Sequence, residues 1–74
     1  MQKWEYLLLI TDGRKNDLPR FLNGMEIKNW QRGSSIVEFI NQLGDQGWEM
    51  ISSQPHYYGA STEEVRMVFK RPKP

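Results

Sequence analysis

The side chain best suited to acid–base chemistry in this 74-residue chain is its one histidine, His56, which lies between Pro55 and Tyr57. A histidine that moves protons in catalysis needs an orienting carboxylate and a nucleophile or substrate within reach. Hydroxyl groups occur nearby at Ser52, Ser53, Ser61 and Thr62. Their spacing matches no catalytic arrangement, so we interpret His56 as a surface or loop residue and predict no catalytic residue.

Metal and phosphate binding have little support in the sequence. The chain has no cysteine, and Glu63 and Glu64 are the carboxylates nearest to His56 on its C-terminal side. One histidine and two carboxylates are few ligands for a zinc site, which usually uses several cysteine or histidine side chains. The spacing Gly44-x-x-Gly47 falls at the end of a predicted helix, whereas phosphate-binding loops precede a helix N-terminus. We therefore expect neither a metal nor a cofactor.

Aromatic and basic residues could together form a contact surface. Exposed aromatic rings beside cations on a sheet can stack bases and hold phosphates. The alternative is that the tyrosines are ordinary strand residues and that the basic tail, formed by Arg66, Lys70, Arg71 and Lys73, protects a sheet edge from aggregation. A net charge of only +1 favours this alternative. The candidate contact surface comprises Trp30, His56, Tyr57, Tyr58, Arg66, Lys70 and Arg71.

Trp30 has no obvious place in the predicted elements, since it follows a hairpin and precedes the helix. If its indole ring is exposed, it is the first candidate for a contact residue, because tryptophan is enriched at the energetic centres of interfaces. The alternative is that it packs in the core or in a dimer interface.

The element around which the rest is organised is a helix that begins near Ile36 and runs directly into a strand. Ser35 and Glu38 form an S-x-x-E capping box, with Ser34 as the alternative N-cap. Val37 widens the apolar side of this helix. Four apolar residues at helical spacing form its buried stripe: Ile36, Phe39, Ile40 and Leu43.

The same helix has a predicted end. Gly47 in left-handed geometry would let Trp48 fold onto Leu43, as in a Schellman motif. Gly44, inside the helix, costs roughly 1 kcal/mol relative to alanine, and we expect it to permit close packing against the sheet.

Four further segments are predicted to be strands. Residues 4–10 place Trp4, Tyr6, Leu8 and Ile10 on one face and Leu7 and Leu9 on the other. Residues 64–71 alternate between apolar and polar side chains, with Val65, Met67 and Phe69 facing the core.

Asn23-Gly24 predicts a two-residue hairpin turn with a second arm over residues 25–30. In residues 48–58, Pro55 indicates an edge strand, a bulge or an early end. Polar loops are expected at residues 14–17 and 59–62.

These elements predict one small α+β domain. Its antiparallel sheet has four to five strands, in the chain order strand, hairpin, helix, strand, strand, and one helix covers one face. Alternation places Leu7, Leu9, Ile51 and Val68 opposite the main core set. One explanation is that the twist of the sheet buries these four residues. The other is that they belong to a dimer face or to a sheet edge that pairs with another strand. Because so short a chain has a thin core, we favour a homodimer.

Composition sets further limits. The absence of cysteine suits a cytoplasmic protein, and it leaves no thiol for a disulfide or a nucleophile. No apolar run approaches the roughly 18 residues needed to cross a bilayer. The first residues contain Glu5 and lack the apolar centre of a signal peptide. We therefore expect a cytoplasmic protein without membrane contact.

Three blocks of the sequence resemble a family of very small bacterial and phage proteins classed as a domain of unknown function. That family has the pattern W-E-Y, then L-G-x-x-G-W-E-L-V-S, then F-K-R-P. Here Met50 replaces leucine and Ile51 replaces valine. The resemblance implies a compact α+β fold and supplies no activity or site residues. The matching blocks are Trp4-Glu5-Tyr6, residues 43–52 and Phe69-Lys70-Arg71-Pro72.

The function expected from the sequence is a non-catalytic binding or protein-interaction module, acting as a homodimer. A nucleic-acid-binding module that uses the tyrosines and basic tail is the main alternative. A small-ligand pocket between helix and sheet and an enzyme centred on His56 are weaker alternatives.

Overall fold

The computed structural model describes residues 1–13, 17–58 and 62–74. Neighbouring strands all pair antiparallel in one sheet of order β3-β2-β1-β5-β4, and one helix packs against it. This confirms the predicted α+β class. The predicted loops at 14–17 and 59–62 lie mostly outside the described residues. The elements are β1 (Trp4–Asp12), β2 (Leu18–Leu22), β3 (Met25–Glu26), a 3-10 turn (Trp30–Arg32), α1 (Ile36–Asp45), β4 (Glu49–Tyr58) and β5 (Thr62–Pro72).

Helix α1 begins where the capping box predicts. The Oγ atom of Ser35 accepts a hydrogen bond of 3.2 Å from the backbone N–H of Glu38, which makes Ser35 the N-cap rather than Ser34. Val37 is 64% exposed, so the prediction that it widens the buried stripe is wrong. It follows Ile36 by one residue, which turns its side chain about 100° around the helix, away from the stripe. In the described ranges, no helix has the length and apolar character to cross a bilayer.

The end of α1 is a Schellman motif, as predicted. Gly47 has a φ of 90°. The N–H of Trp48 donates to the carbonyl of Leu43 at 3.0 Å, and the N–H of Gly47 donates to that of Gly44 at 2.9 Å. These are the two bonds that define the motif. Trp48 is half-buried and packs against the core, so the chain leaves the helix directly into β4.

The two glycines at this helix end are expected to respond oppositely to alanine. A Cβ atom at Gly44 or at Gly47 would meet nothing within 4 Å, so the prediction that Gly44 permits close packing is wrong. Gly44→Ala should stabilise the protein by about 0.5–1 kcal/mol, because glycine loses more backbone entropy in a helix. Gly47→Ala should destabilise it by about 1 kcal/mol, because φ is positive there. Urea unfolding followed by circular dichroism measures both, and midpoints that shift in the same direction would contradict the expectation.

The core lies between α1 and one face of the sheet. In the pairing of β1 with β5, Leu7 lies opposite Phe69 and Leu9 opposite Met67, and such partners share a face. All four are buried with Leu43. The prediction that Met67 and Phe69 face the core is confirmed, and the prediction that Leu7 and Leu9 lie opposite it is wrong. Both faces of β1 are apolar, so alternation separates two sets of residues without showing which set faces the helix.

The hairpin turn occurs as predicted, but its second arm is short. Asn23 and Gly24 have φ values of 52° and 83°, as a two-residue turn of this kind requires. Strand β3 is only Met25–Glu26 and does not extend to Trp30. Asn23 also pairs with β1: its N–H donates to the Leu8 carbonyl at 2.8 Å, and its Oδ1 accepts from the Leu8 N–H at 2.9 Å.

Strand β4 forms an edge of the sheet, in agreement with the position of Pro55. The register between β4 and β5 shifts between Met50 and Ser52. Ile51 lies at this irregularity and is exposed. The irregularity therefore precedes Pro55, which itself lies opposite Val65 in the regular part of the ladder.

Candidate functional site

The face of the sheet opposite α1 carries a continuous set of apolar side chains, and we call it the open face. In the pairing of the central strands, Leu8 lies opposite Val68, and Ile10 lies opposite Phe21 of β2. Side chains alternate along β1, so residues 4, 6, 8 and 10 all face away from the core. The apolar members of the open face are Trp4, Tyr6, Leu8, Ile10, Phe21 and Val68.

Two aromatic rings on the open face are accessible to solvent. Tyr6 is 60% exposed and Trp4 is 41% exposed, and both lie on the central strand β1. Leu8, Ile10 and Val68 are half-buried. Scattered exposed apolar residues are ordinary, whereas a contiguous apolar patch is the kind of surface through which proteins often associate.

Each basic residue on the open face described below has an acidic residue as a neighbour. The Nζ atom of Lys70 lies 4.5 Å from the centroid of the Trp4 ring, which is a cation–π distance. Lys70 also lies opposite Glu49 in the ladder. Arg66 binds the carboxylate of Glu64 at 3.1 Å. The cations therefore produce no strong positive field on this face.

The structure brings three of the predicted contact residues onto the open face. His56 lies opposite Glu64 in the ladder and is exposed, and register places it on the same face as Arg66 and Lys70. The backbones of Tyr57 and Tyr58 complete β4, while their side chains lie outside the described part of the molecule. The ring surface of the open face comes instead from Trp4 and Tyr6.

Arg71 does not belong to this surface, although it follows Lys70 in the sequence. It lies opposite Glu5 on the helix side of the sheet and forms an ion pair with that residue. Its Nη1 donates to the Gln46 carbonyl at 3.0 Å, and its guanidinium lies 4.2 Å from the Trp48 ring centroid. A cation beside the last carbonyls of a helix is favourable. Arg71 thus joins β1 and β5 to the end of α1.

An open cleft of about 610 Å³ lies beside Arg71 at the end of the sheet. The guanidinium that could attract an anion there is already engaged by Glu5, by the Gln46 carbonyl and by the Trp48 ring. The Arg71 guanidinium is therefore not free to bind an anionic ligand in this cleft. It is lined by Glu5, Gln46, Gly47, Arg71, Pro72, Lys73 and Pro74.

Trp30 is buried, so it does not offer its ring to a partner. Only 7% of it is exposed, and the Arg20 guanidinium lies 4.5 Å from its ring centroid. Arg20 forms ion pairs with Asp12 at 2.6 Å and with Glu26 at 3.0 Å. Hydrogen bonds to Asp12 and Glu26 raise the pKa of Arg20. Trp30 is therefore buried within the chain, although it lies outside the core cluster beneath α1.

Sequence reasoning placed Trp4 and Tyr6 on one face, but it did not identify them as contact residues. Trp4 and Tyr6 lie on the face of β1 opposite Leu7 and Leu9. Because the two leucines face the helix, the two aromatic residues lie on the face that the helix does not cover. Across residues 1–13, 17–58 and 62–74, no three His, Cys, Asp or Glu residues are grouped as metal ligands. What the site offers is an apolar surface with a balanced charged margin.

Comparison with known proteins gives no family assignment. No protein-family model, no curated protein and no solved structure matches the chain. The resemblance to the small bacterial and phage proteins therefore stays a prediction from sequence motifs. What the protein does is inferred from the geometry of the open face.

Proposed function

We propose that the protein is a non-catalytic protein-interaction module that works through the open face of its sheet. The observation that carries this proposal is the exposure of Trp4 and Tyr6 beside Leu8, Ile10 and Val68 on adjacent central strands. Tryptophan and tyrosine contribute strongly to protein interfaces, because a large apolar ring is combined with a polar group.

The distribution of polar groups agrees with a protein partner. Interfaces typically have an apolar centre surrounded by a polar margin. On the open face, Leu8 and Val68 occupy the middle of the ladder, while Arg66 at one end and Glu49 on the edge strand β4 lie at the margin. Small-molecule sites differ, since they are concave pockets with convergent polar groups.

Photo-crosslinking in the cells that produce the protein tests this proposal. Tyr6→p-benzoylphenylalanine keeps an aromatic group on the open face, and Val37→p-benzoylphenylalanine is the matched control at an exposed apolar position of α1. We expect discrete protein adducts from position 6 and none of the same adducts from position 37. Absence of adducts at position 6, or identical adducts at both positions, would contradict the proposal.

A nucleic-acid-binding module is the second candidate, and the stacking of Lys70 on Trp4 beside Tyr6 favours it. The acidic neighbours Glu49 and Glu64 act against it, because phosphate binding needs net positive charge. We expect no saturable quenching of tryptophan fluorescence by single-stranded DNA or RNA at low salt. Quenching that weakens as salt rises would favour this candidate over the first.

A homodimeric state and a cytoplasmic location stay predictions from the sequence. The cysteine-free composition favours the reducing cytoplasm, and the motif resemblance favours a bacterial or phage setting. Both agree with an interaction module that meets its partner inside the cell.

A further inference from the structure

We infer that the partner on the open face is a second copy of this chain, with the two sheets packed face to face about a two-fold axis. This inference rests on the proposed function, because it names the occupant of the same surface. A two-fold interface places the same patch of both subunits in contact, so the open face must complement itself. Three properties of the sheet and of its open face favour this arrangement.

The first property is the state of the sheet edges, which disfavours the other common mode of sheet association. Strand β3, at one edge, has only two residues. Strand β4, at the other edge, contains Pro55, which has no N–H to donate, and a register shift between Met50 and Ser52. Short strands, proline and bulges all impede pairing with a further strand. Two copies are therefore more readily joined through the open face than through an edge.

The second property is the charge balance of the open face. Lys70 lies opposite Glu49, and Arg66 binds Glu64. A partner of strongly acidic or strongly basic character would meet like charges there, and like charges at an interface are costly. A second copy brings the same balanced pairs, and a two-fold rotation can place the cation of one pair near the acid of the other. Balanced charge thus favours self-association over a partner of one sign.

The third property is the size of the patch. The paired part of β1 and β5 runs over seven residues, from Trp4 to Ile10, which is about 20 Å at the usual rise per residue. The open face as a whole, including the polar residues that β4 contributes, spans four strands about 4.8 Å apart and is roughly 15–19 Å wide. Two copies would then bury on the order of 1,000 Å² once side-chain relief is included, near the lower limit for a specific interface. Interfaces of this small size are typical of weak, transient complexes, so we expect a dimer with a Kd on the order of micromolar.

Dimer formation would also complete a thin core. The buried hydrophobic residues of the described chain number six, and five of them form the cluster beneath α1. Packing two sheets about 10 Å apart would bury Leu8, Ile10 and Val68 in a second apolar layer. Small domains often gain stability through such association.

The test measures the mass of the purified full chain by sedimentation equilibrium from about 5 to about 500 μM, a range that brackets a micromolar Kd. We expect the weight-average mass to rise from 8.8 kDa towards twice that value. Leu8→Glu should weaken the dimer at least about 100-fold, because Leu8 lies opposite Val68 and the two-fold axis buries the new charge twice among apolar residues. Val37→Glu, on the exposed side of α1, is the matched control and should leave the dimer intact.

A second measurement avoids the risk that Leu8→Glu fails to fold. In a mixture of isotope-labelled and unlabelled wild-type chains, filtered nuclear Overhauser spectra should show contacts between copies at Tyr6, Leu8 and Val68. A chain that stays at 8.8 kDa throughout, or a dimer without these contacts, overturns the inference. If position 6 crosslinks to a different protein while the purified chain stays monomeric, the proposed function stands and the second-copy inference fails. No crosslink and no dimer overturn both.

Discussion

Phe69→Ala is expected to remove about 3–5 kcal/mol from the free energy of unfolding. Phe69 is 1% exposed and lies opposite Leu7 beneath the helix, so truncation leaves a cavity in the centre of the core. A domain of 74 residues has a total stability of roughly 4–11 kcal/mol. The variant should therefore be largely unfolded under mild conditions, as measured by urea titration with circular dichroism.

The neighbouring residue supplies the control for this prediction. Val68 precedes Phe69 by one position and faces the other side of the sheet, where it is half-buried. Val68→Ala should cost at most about 1 kcal/mol in the monomer, since few atoms lose contact with the core. If the open face associates, the loss should grow with protein concentration. Equal losses at positions 68 and 69 in dilute protein would show that the core is placed on the wrong face.

Thr11→Val is expected to cost about 1–3 kcal/mol although it preserves the shape of the side chain. Thr11 is buried, and its Oγ1 accepts the backbone N–H of Val65 at 3.0 Å. The pairing of β1 with β5 ends at Ile10 and Arg66, so this hydroxyl extends the connection beyond the ladder. Valine would leave the half-buried Val65 N–H without this acceptor. Urea unfolding measures the loss.

Amide hydrogen exchange shows whether Thr11→Val acts by removing the hydrogen bond to the Val65 N–H or by changing the packing around position 11. Thr11→Ser keeps the hydroxyl and loses only a methyl group, at roughly 1 kcal/mol. The Val65 amide should exchange faster in Thr11→Val and keep its protection, relative to neighbouring amides, in Thr11→Ser. Unchanged protection of that amide in Thr11→Val would show that the hydroxyl is not its acceptor.

The predictions from sequence that the structure confirms concern features formed by residues only a few positions apart. Ser35 satisfies the N–H of Glu38, and Gly47 allows Trp48 to bond back to Leu43. Asn23-Gly24 sets the hairpin turn in the same way. Such features depend on local backbone conformation, which the residue types themselves specify. The α+β class follows from these elements and from the alternation in β5.

The candidate site required the tertiary structure, and β1 shows why. Its alternating residues formed two apolar sets, and either set could have faced the helix. Lys70 and Arg71 are adjacent in the sequence, yet one lies over Trp4 on the open face and the other over Trp48 on the helix side.

The sequence alone therefore determined the helix with its two caps, the hairpin turn and the fold class. The tertiary structure decided the strand order, the face of β1 that is buried and the exposure of Trp4 and Tyr6. The physical reason is that the register of β1 against β5 joins residues more than 50 positions apart. A shift of one residue in such a register moves every side chain of a strand to the opposite face, and no short-range pattern encodes it.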